Sequence, residues 1–147
     1  GTSGALMQLG ALALGADAKG GAVAAEIGAA TGLGLLIRAL PALYAQGADP
    51  VATPDLDRNA LAEGRTPPPL AEALRALAVD AQARLAAARA RRGDVTPDAA
   101  PALVANWTAT PVLRAAAAPG FDLFANHEQS EFRKRLRLTG QVIFNRW

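Results

Sequence analysis

The sequence predicts an all-helical fold, and three observations carry that prediction. Alanine fills 37 of the 147 positions, and it is the strongest helix former and a weak strand former. Val, Ile and Tyr number only 11 together, too few for a sheet-based core. Apolar residues recur at helical spacing in the clearest segment, where Leu70, Leu74, Leu77, Ala81, Leu85 and Ala88 mark one buried stripe. The length is that of one domain or part of one.

The elements follow in order. Ala5 to Leu14 reads as a short helix, apolar at nearly every position except Gln8 and ended by Gly15, so it is expected to be buried on most sides. A second helix is predicted from about Gly21 to Tyr44, with Pro41 bending or breaking it near its end. Its glycines at 28, 32 and 34 each cost about 1 kcal/mol relative to alanine. Two reasons would justify that cost, close approach of another helix or a backbone kept clear for a ligand. From about 45 to 66 the composition turns to Gly, Pro, Asp and Asn, an irregular connection with at most a helical turn over Asp55 to Glu63.

Pro67, Pro68 and Pro69 open the next helix, since the first turn does not need the missing N–H. Glu72–Arg75 and Asp80–Arg84 are placed to pair across its exposed side. Arg89, Arg91 and Arg92 suit the negative end of the helix dipole, and Gly93 is the predicted terminator, so the charge run reads as a helix end more than a binding patch. Thr96-Pro97-Asp98 has the pattern of a helix start, a capping hydroxyl followed by proline and an acid. That helix should continue to about Ala118 with a kink at Pro111, before a turn at Pro119 to Asp122. A basic amphipathic final helix is predicted over about 129–147, with Phe132, Leu136, Gly140, Ile143 and Trp147 on one face.

Several chemistries are unsupported by the residues. The chain has no cysteine, so neither disulfides nor thiolate metal sites are available, and its single histidine, His127, removes any multi-histidine centre. No paired-carboxylate or Glu/His spacing falls on a predicted helix. Asp55 and Asp57, two apart, lack the further ligands of a calcium loop. Ser3 and Ser130 have no histidine partner in local sequence, and the glycines follow no strand, so no phosphate cradle is read. The longest apolar stretch, Gly20 to Ile37, is interrupted by Glu26, so no membrane span is predicted, and the first residues lack a signal-peptide pattern.

Charge is uneven. Residues 131–147 hold five bases and one acid, while residues 1–130 hold 10 bases and 12 acids. No nucleic-acid footprint spreads over the chain. The tail combines Phe132, Leu136, Ile143 and Trp147 with Arg133, Lys134, Arg135 and Arg137, the pattern of an interfacial helix on an anionic membrane or of a terminal helix docked on its own domain. These eight residues are the candidate membrane or partner contacts.

The order of several segments resembles the squalene/phytoene synthases. Gly1-Thr2-Ser3-Gly4-Ala5-Leu6-Met7 is similar to that family's G-T-V-G-L-M, and Gly34 to Gly47 (GLLIRALPALYAQG) to its N-I-L-R-D-V-G-E-D-A-R-R-G. Val51-Ala52-Thr53-Pro54-Asp55-Leu56 follows at the distance of its I-Y-L-P-x-D-x-L, and Pro119 to Phe124 is similar to its A-G-Y-D-P-F turn. The resemblance covers nearly all of residues 1–147. It implies an isoprenoid-synthase-type helical bundle, C-terminal half only, with the half bearing the first aspartate-rich motif on a longer chain or another polypeptide.

In those enzymes two aspartates four residues apart hold Mg²⁺ against a prenyl diphosphate. The matching positions here are Ala39 and Leu43, which ligate nothing. The resemblance is therefore closer to the non-catalytic branch that includes a mitochondrial complex I assembly factor. It implies a pseudoenzyme with no catalytic residues, metal or cofactor, acting in assembly of, or as a component of, a respiratory membrane complex. A protein partner or the missing half, cytoplasmic or matrix-side peripheral association with the inner membrane, and an isoprenoid ligand are further implications. Two alternatives stay open: a prenyltransferase joining two prenyl diphosphates head to head with Mg²⁺, and an isoprenoid- or lipid-binding module.

Overall fold

A computed structural model describes residues 2–125, and among these all regular structure is helical. The predicted final helix, with Phe132, Arg133, Lys134, Arg135, Leu136, Arg137, Ile143 and Trp147, and also His127 and Ser130, lies outside the described residues.

Helix α1 spans Thr2–Ala13 and α2 spans Ala18–Ala45. Between them Gly15 takes φ +88°, a left-handed conformation that glycine adopts without steric cost, and Ala16 N–H closes the helix end by donating to Ala11 O at 3.0 Å. Asp17 then caps α2, its Oδ1 accepting from Gly20 N at 2.8 Å.

The two helices run antiparallel with their backbones in contact. An alanine Cβ at Gly28 would lie 2.6 Å from Ser3 O and 2.9 Å from Gly4 Cα, and one at Gly32 would lie 2.5 Å from Ser3 Oγ. At Gly34 it would meet Ala109 Cα at 2.9 Å. Of the two reasons for these glycines, close helix approach is the one the packing shows.

That seam corrects the expected burial of α1. Only Gly4 and Ala11 of this helix are buried, while Leu6 and Leu9 are 65% and 63% exposed and Leu12, partly exposed, lays its side chain against Gly21 of α2. The reason is geometric: the backbones meet at Gly4, Gly28 and Gly32, with Met7 and Leu12 at the edges of the contact, so Leu6 and Leu9 fall on the far side. The helix is apolar all round yet covered on one side.

Pro41 does not end α2. The helix continues through it to Ala45, because Leu40 and Tyr44 are buried on the same side and hold the last turn against the core. Gly47, at φ +82°, then donates to Tyr44 O at 2.9 Å and Ala48 N–H donates to Leu43 O at 3.0 Å, a left-handed cap. α2 is long and apolar enough to cross a membrane, but half of its most apolar window is buried inside the fold.

The connection to the next long helix carries one short helix, α3, Arg58–Ala62, capped by Asp57, whose Oδ1 accepts from Asn59 N and Ala60 N at 3.0 Å each. Asp57 is thus a helix cap. Helix α4 spans Pro68–Ala90 and buries Leu70, Leu74, Ala78, Ala81, Leu85 and Ala88. Leu77, expected on that stripe, is exposed and Ala78 takes its place. Both stripes average 3.6 residues per step, so spacing alone does not choose between Leu77 and Ala78; the placement of α2 and α5 against this helix does. Arg84 Nε donates to Asp80 Oδ2 at 2.8 Å, whereas Glu72 and Arg75 form no ion pair among the described residues.

The helix end also differs from expectation. α4 stops at Ala90 with Arg91 as its cap, and a 3₁₀ turn, Arg92–Asp94, carries Gly93 inside it. Arg91 Nε donates to Asp94 Oδ2 at 3.2 Å across this turn.

Beyond it the predicted α-helix from Thr96 divides in two. Residues Ala100–Thr108 form a 3₁₀ segment, and α5 spans Ala109–Ala117. Thr96 does not cap with its hydroxyl, which is buried without a hydrogen bond, and its carbonyl instead accepts from Ala99 N and Ala100 N at 3.1 Å each. Pro111 falls in the first turn of α5, where an N–H is not needed, just after the change from 3₁₀ to α geometry. After α5, Phe121 and Leu123 fold back into the core, and Leu123 N–H donates to Thr66 Oγ1 at 2.8 Å.

The core is one cluster. Ile27, Ile37 and Leu40 of α2 pack with Leu70 and Leu74 of α4, Leu103 of the 3₁₀ segment and Leu113 of α5.

Candidate functional site

The α1 seam runs along α2 through Gly21, Gly28 and Gly32, where α1 reaches Ser3. Continued at helical spacing it passes Leu35, Ala39 and Leu43. Leu35 and Ala39 are exposed and Leu43 is half-buried, so the outer face of the C-terminal half of α2 is an open apolar ledge. Ala39 and Leu43, the positions the resemblance singled out, stand one turn apart on it. Arg38, adjacent, is the exposed cation of this turn.

The ledge does not fit a divalent cation. Mg²⁺ takes hard oxygen ligands, and Ala39, Leu35 and Leu43 supply hydrocarbon. Among the described residues no three His, Asp or Glu side chains gather as a metal site. Glu26, the acid within α2, is exposed in its N-terminal half, three turns from Ala39.

A second polar feature lies at the end of α2. The Tyr44 and Thr53 hydroxyls are buried side by side, and neither meets full hydrogen-bond geometry. Asp49 shapes the loop that brings Thr53 there, its Oδ1 accepting from Ala52 N at 3.1 Å while Ala52 is held at φ +50°, a conformation rare for alanine. Burial lifts the Tyr44 hydroxyl above its ordinary 10.0, and Asp49 adds to the shift, with Thr53 and Arg58 acting the other way.

Tyr44 is the sole tyrosine, so its titration can be read directly from phenolate absorbance. The midpoint is expected above 10. Because the folded chain keeps this proton to higher pH than the unfolded chain, stability falls as pH rises past 10 through the folded value. Tyr44→Phe should abolish that slope and leave stability at neutral pH equal or slightly higher, because a buried hydroxyl without a full hydrogen bond is removed. A normal midpoint would contradict the placement.

The third feature joins α4 to the 3₁₀ segment. Asn106, only 1% exposed, accepts at Oδ1 from Arg89 Nη2 at 3.1 Å and from Thr110 Oγ1 at 3.0 Å. Two helical turns along, Gln82 Nε2 donates to Leu113 O at 2.8 Å. This polar seam orients α5 on α4. Its sequence signal was Asn106 itself, a lone amide in the apolar run Ala102 to Trp107. The Tyr44–Thr53 pair had no comparable signal, since loop 46–57 brings it together.

The arrangement therefore supplies an open apolar ledge and two structural polar clusters. No protein-family model, curated protein or solved structure matches the chain.

Proposed function

We propose that this chain is a non-catalytic relative of the squalene/phytoene synthases that works by binding a protein partner, in assembly of a respiratory membrane complex of the complex I type or as a component of one. The observation that supports this best is the ledge itself: Ala39 and Leu43 present hydrocarbon where the resemblance implies two carboxylates. An open apolar strip on a helix is also the surface that a further helix of such a bundle would cover. In this reading the partner brings helices that close over Leu35, Ala39 and Leu43. Peripheral association with the inner membrane, on its matrix or cytoplasmic side, belongs to the same proposal.

Incubation of the full chain with farnesyl or geranylgeranyl diphosphate and Mg²⁺ tests the reading. Pyrophosphate release is expected to stay at the level of the protein-free blank. Release abolished by EDTA would replace the proposal with head-to-head prenyl transfer. Co-purification with detergent-solubilised complex I subunits is the expected positive result, and recovery of a hydrophobic ligand alone would favour an isoprenoid- or lipid-binding module.

A further inference from the structure

The described chain leaves the bundle beside the open ledge of α2. An added Cβ at Gly20, in the first turn of α2, would lie 2.8 Å from Asp94 O, just past the end of α4, so these two packed helices run antiparallel. The start of α4 is therefore level with the last turns of α2. There Thr66 Oγ1 accepts from Leu123 N at 2.8 Å and donates to Asp122 Oδ1 at 2.7 Å. Ala125, the last described residue, follows two positions later, so residues 126–147 begin at the end of the fold where Leu43 stands. That end is acidic: residues 46–66 carry Asp49, Asp55, Asp57 and Glu63 against Arg58 and Arg65, and all but Asp49 of these acids are exposed.

We propose that in the free chain the ledge is covered by the chain's own segment 129–147, as the amphipathic helix its sequence predicts, entering at Leu43 and running antiparallel to α2. The six residues 126–131 span up to about 20 Å when extended, enough to turn the chain back. Phe132, Leu136 and Gly140 repeat at the same four-residue step as Leu43, Ala39 and Leu35 taken in reverse. In that register Leu136 meets Ala39 and Gly140 meets Leu35, so large faces small at both places. Charge favours it as well. Arg133, Lys134, Arg135 and Arg137 fall toward the Leu43 end, beside the acids of residues 49–63, and the exposed Arg38 is their like-charged neighbour on α2. An anionic membrane would attract the same bases but repel the acids next to them. The contact does not depend on the proposed partner, whose helices would have to displace it.

Oxidation of paired cysteines in the full chain, which has none of its own, tests the contact without a partner. Ala39→Cys with Leu136→Cys should close an intramolecular disulfide at least about tenfold faster than Ala29→Cys with Leu136→Cys, because closure needs Cα atoms within about 7 Å. Ala39 and Ala29 are both exposed on α2, so neither change disturbs the core. Leu35→Cys with Gly140→Cys should close as readily as the first pair, which checks the register. Adding Arg38→Glu should speed the first closure, and raising salt from about 0.05 to about 1 M should slow it. Equal rates for the Ala39 and Ala29 pairs, or intermolecular disulfides only, would overturn the contact and leave the partner reading standing. Flotation of the full chain with phosphatidylglycerol-containing vesicles, with no closure of the first pair in solution, would overturn it in favour of a lipid surface.

Discussion

Gly28→Ala should destabilise the chain by about 2 kcal/mol, the range of an overpacked core site, although alanine is the better helix former by about 1 kcal/mol. The added methyl would meet Ser3 O at 2.6 Å, Met7 Cβ at 2.8 Å and Gly4 Cα at 2.9 Å. Two of those three neighbours are backbone, so no rotamer change relieves them. The helix α1 has to move off α2, and the contact that fixes it is lost. Gly34→Ala should behave alike, with Ala109 Cα and O at 2.9 and 3.1 Å.

The control is a glycine of the same helix pair. At Gly10 a Cβ would meet nothing nearer than Ala102 Cβ at 3.8 Å, so Gly10→Ala should stabilise, by up to about 1 kcal/mol. Urea denaturation of the three variants gives the sign directly, as opposite shifts of midpoint at constant slope. Equal shifts for Gly10→Ala and Gly28→Ala would mean that the backbones do not touch at Gly28.

Leu40→Ala should cost more, about 2–5 kcal/mol as for buried leucines generally. Leu40 is fully buried in the turn just before Pro41, where α2 has already lost one backbone hydrogen bond to the proline. Side-chain packing is what carries the helix through that point, so the cavity would also loosen its last turn and the Tyr44 hydroxyl beside Thr53. Leu77→Ala, at 43% exposure, is the matched surface change and should stay within about 0.5 kcal/mol. If both leucine variants lose the same stability, the two sides of the core have been assigned wrongly.

The helical character of the chain and most of α4 were legible from the residues alone. Three prolines and one leucine–alanine stripe act locally, and local signals survive folding. The exchange of Leu77 for Ala78 shows the limit of that legibility, because a stripe drawn in sequence ignores the rotation of its neighbours. The Ala100–Thr108 segment was hidden for a different reason. Its start depends on Thr96 using its carbonyl where its hydroxyl was expected, a choice that burial decides and composition does not. The exposure of α1 is not legible from its composition, because an absence of polar residues does not by itself imply enclosure. The glycines at 28, 32 and 34 held the correcting information: if backbones touch there, no large side chain can lie between them.

The ledge on α2 could be located from spacing alone, since Ala39 and Leu43 are one turn apart wherever the helix goes. Its openness could not, because that depends on how far α1 reaches, and α1 reaches Gly32 through Ser3. The Asn106 seam was visible only as an amide out of place. Arg89, read as one charge in a helix-ending run, is drawn inward by that amide.

The glycine seam divides the labour of α1 between its two sides. Where the helix lies is settled by residues too small to be exchanged, while Leu6 and Leu9 stand exposed on its far side. A lineage of such proteins could trade Leu6 and Leu9 for other side chains without disturbing the architecture beneath.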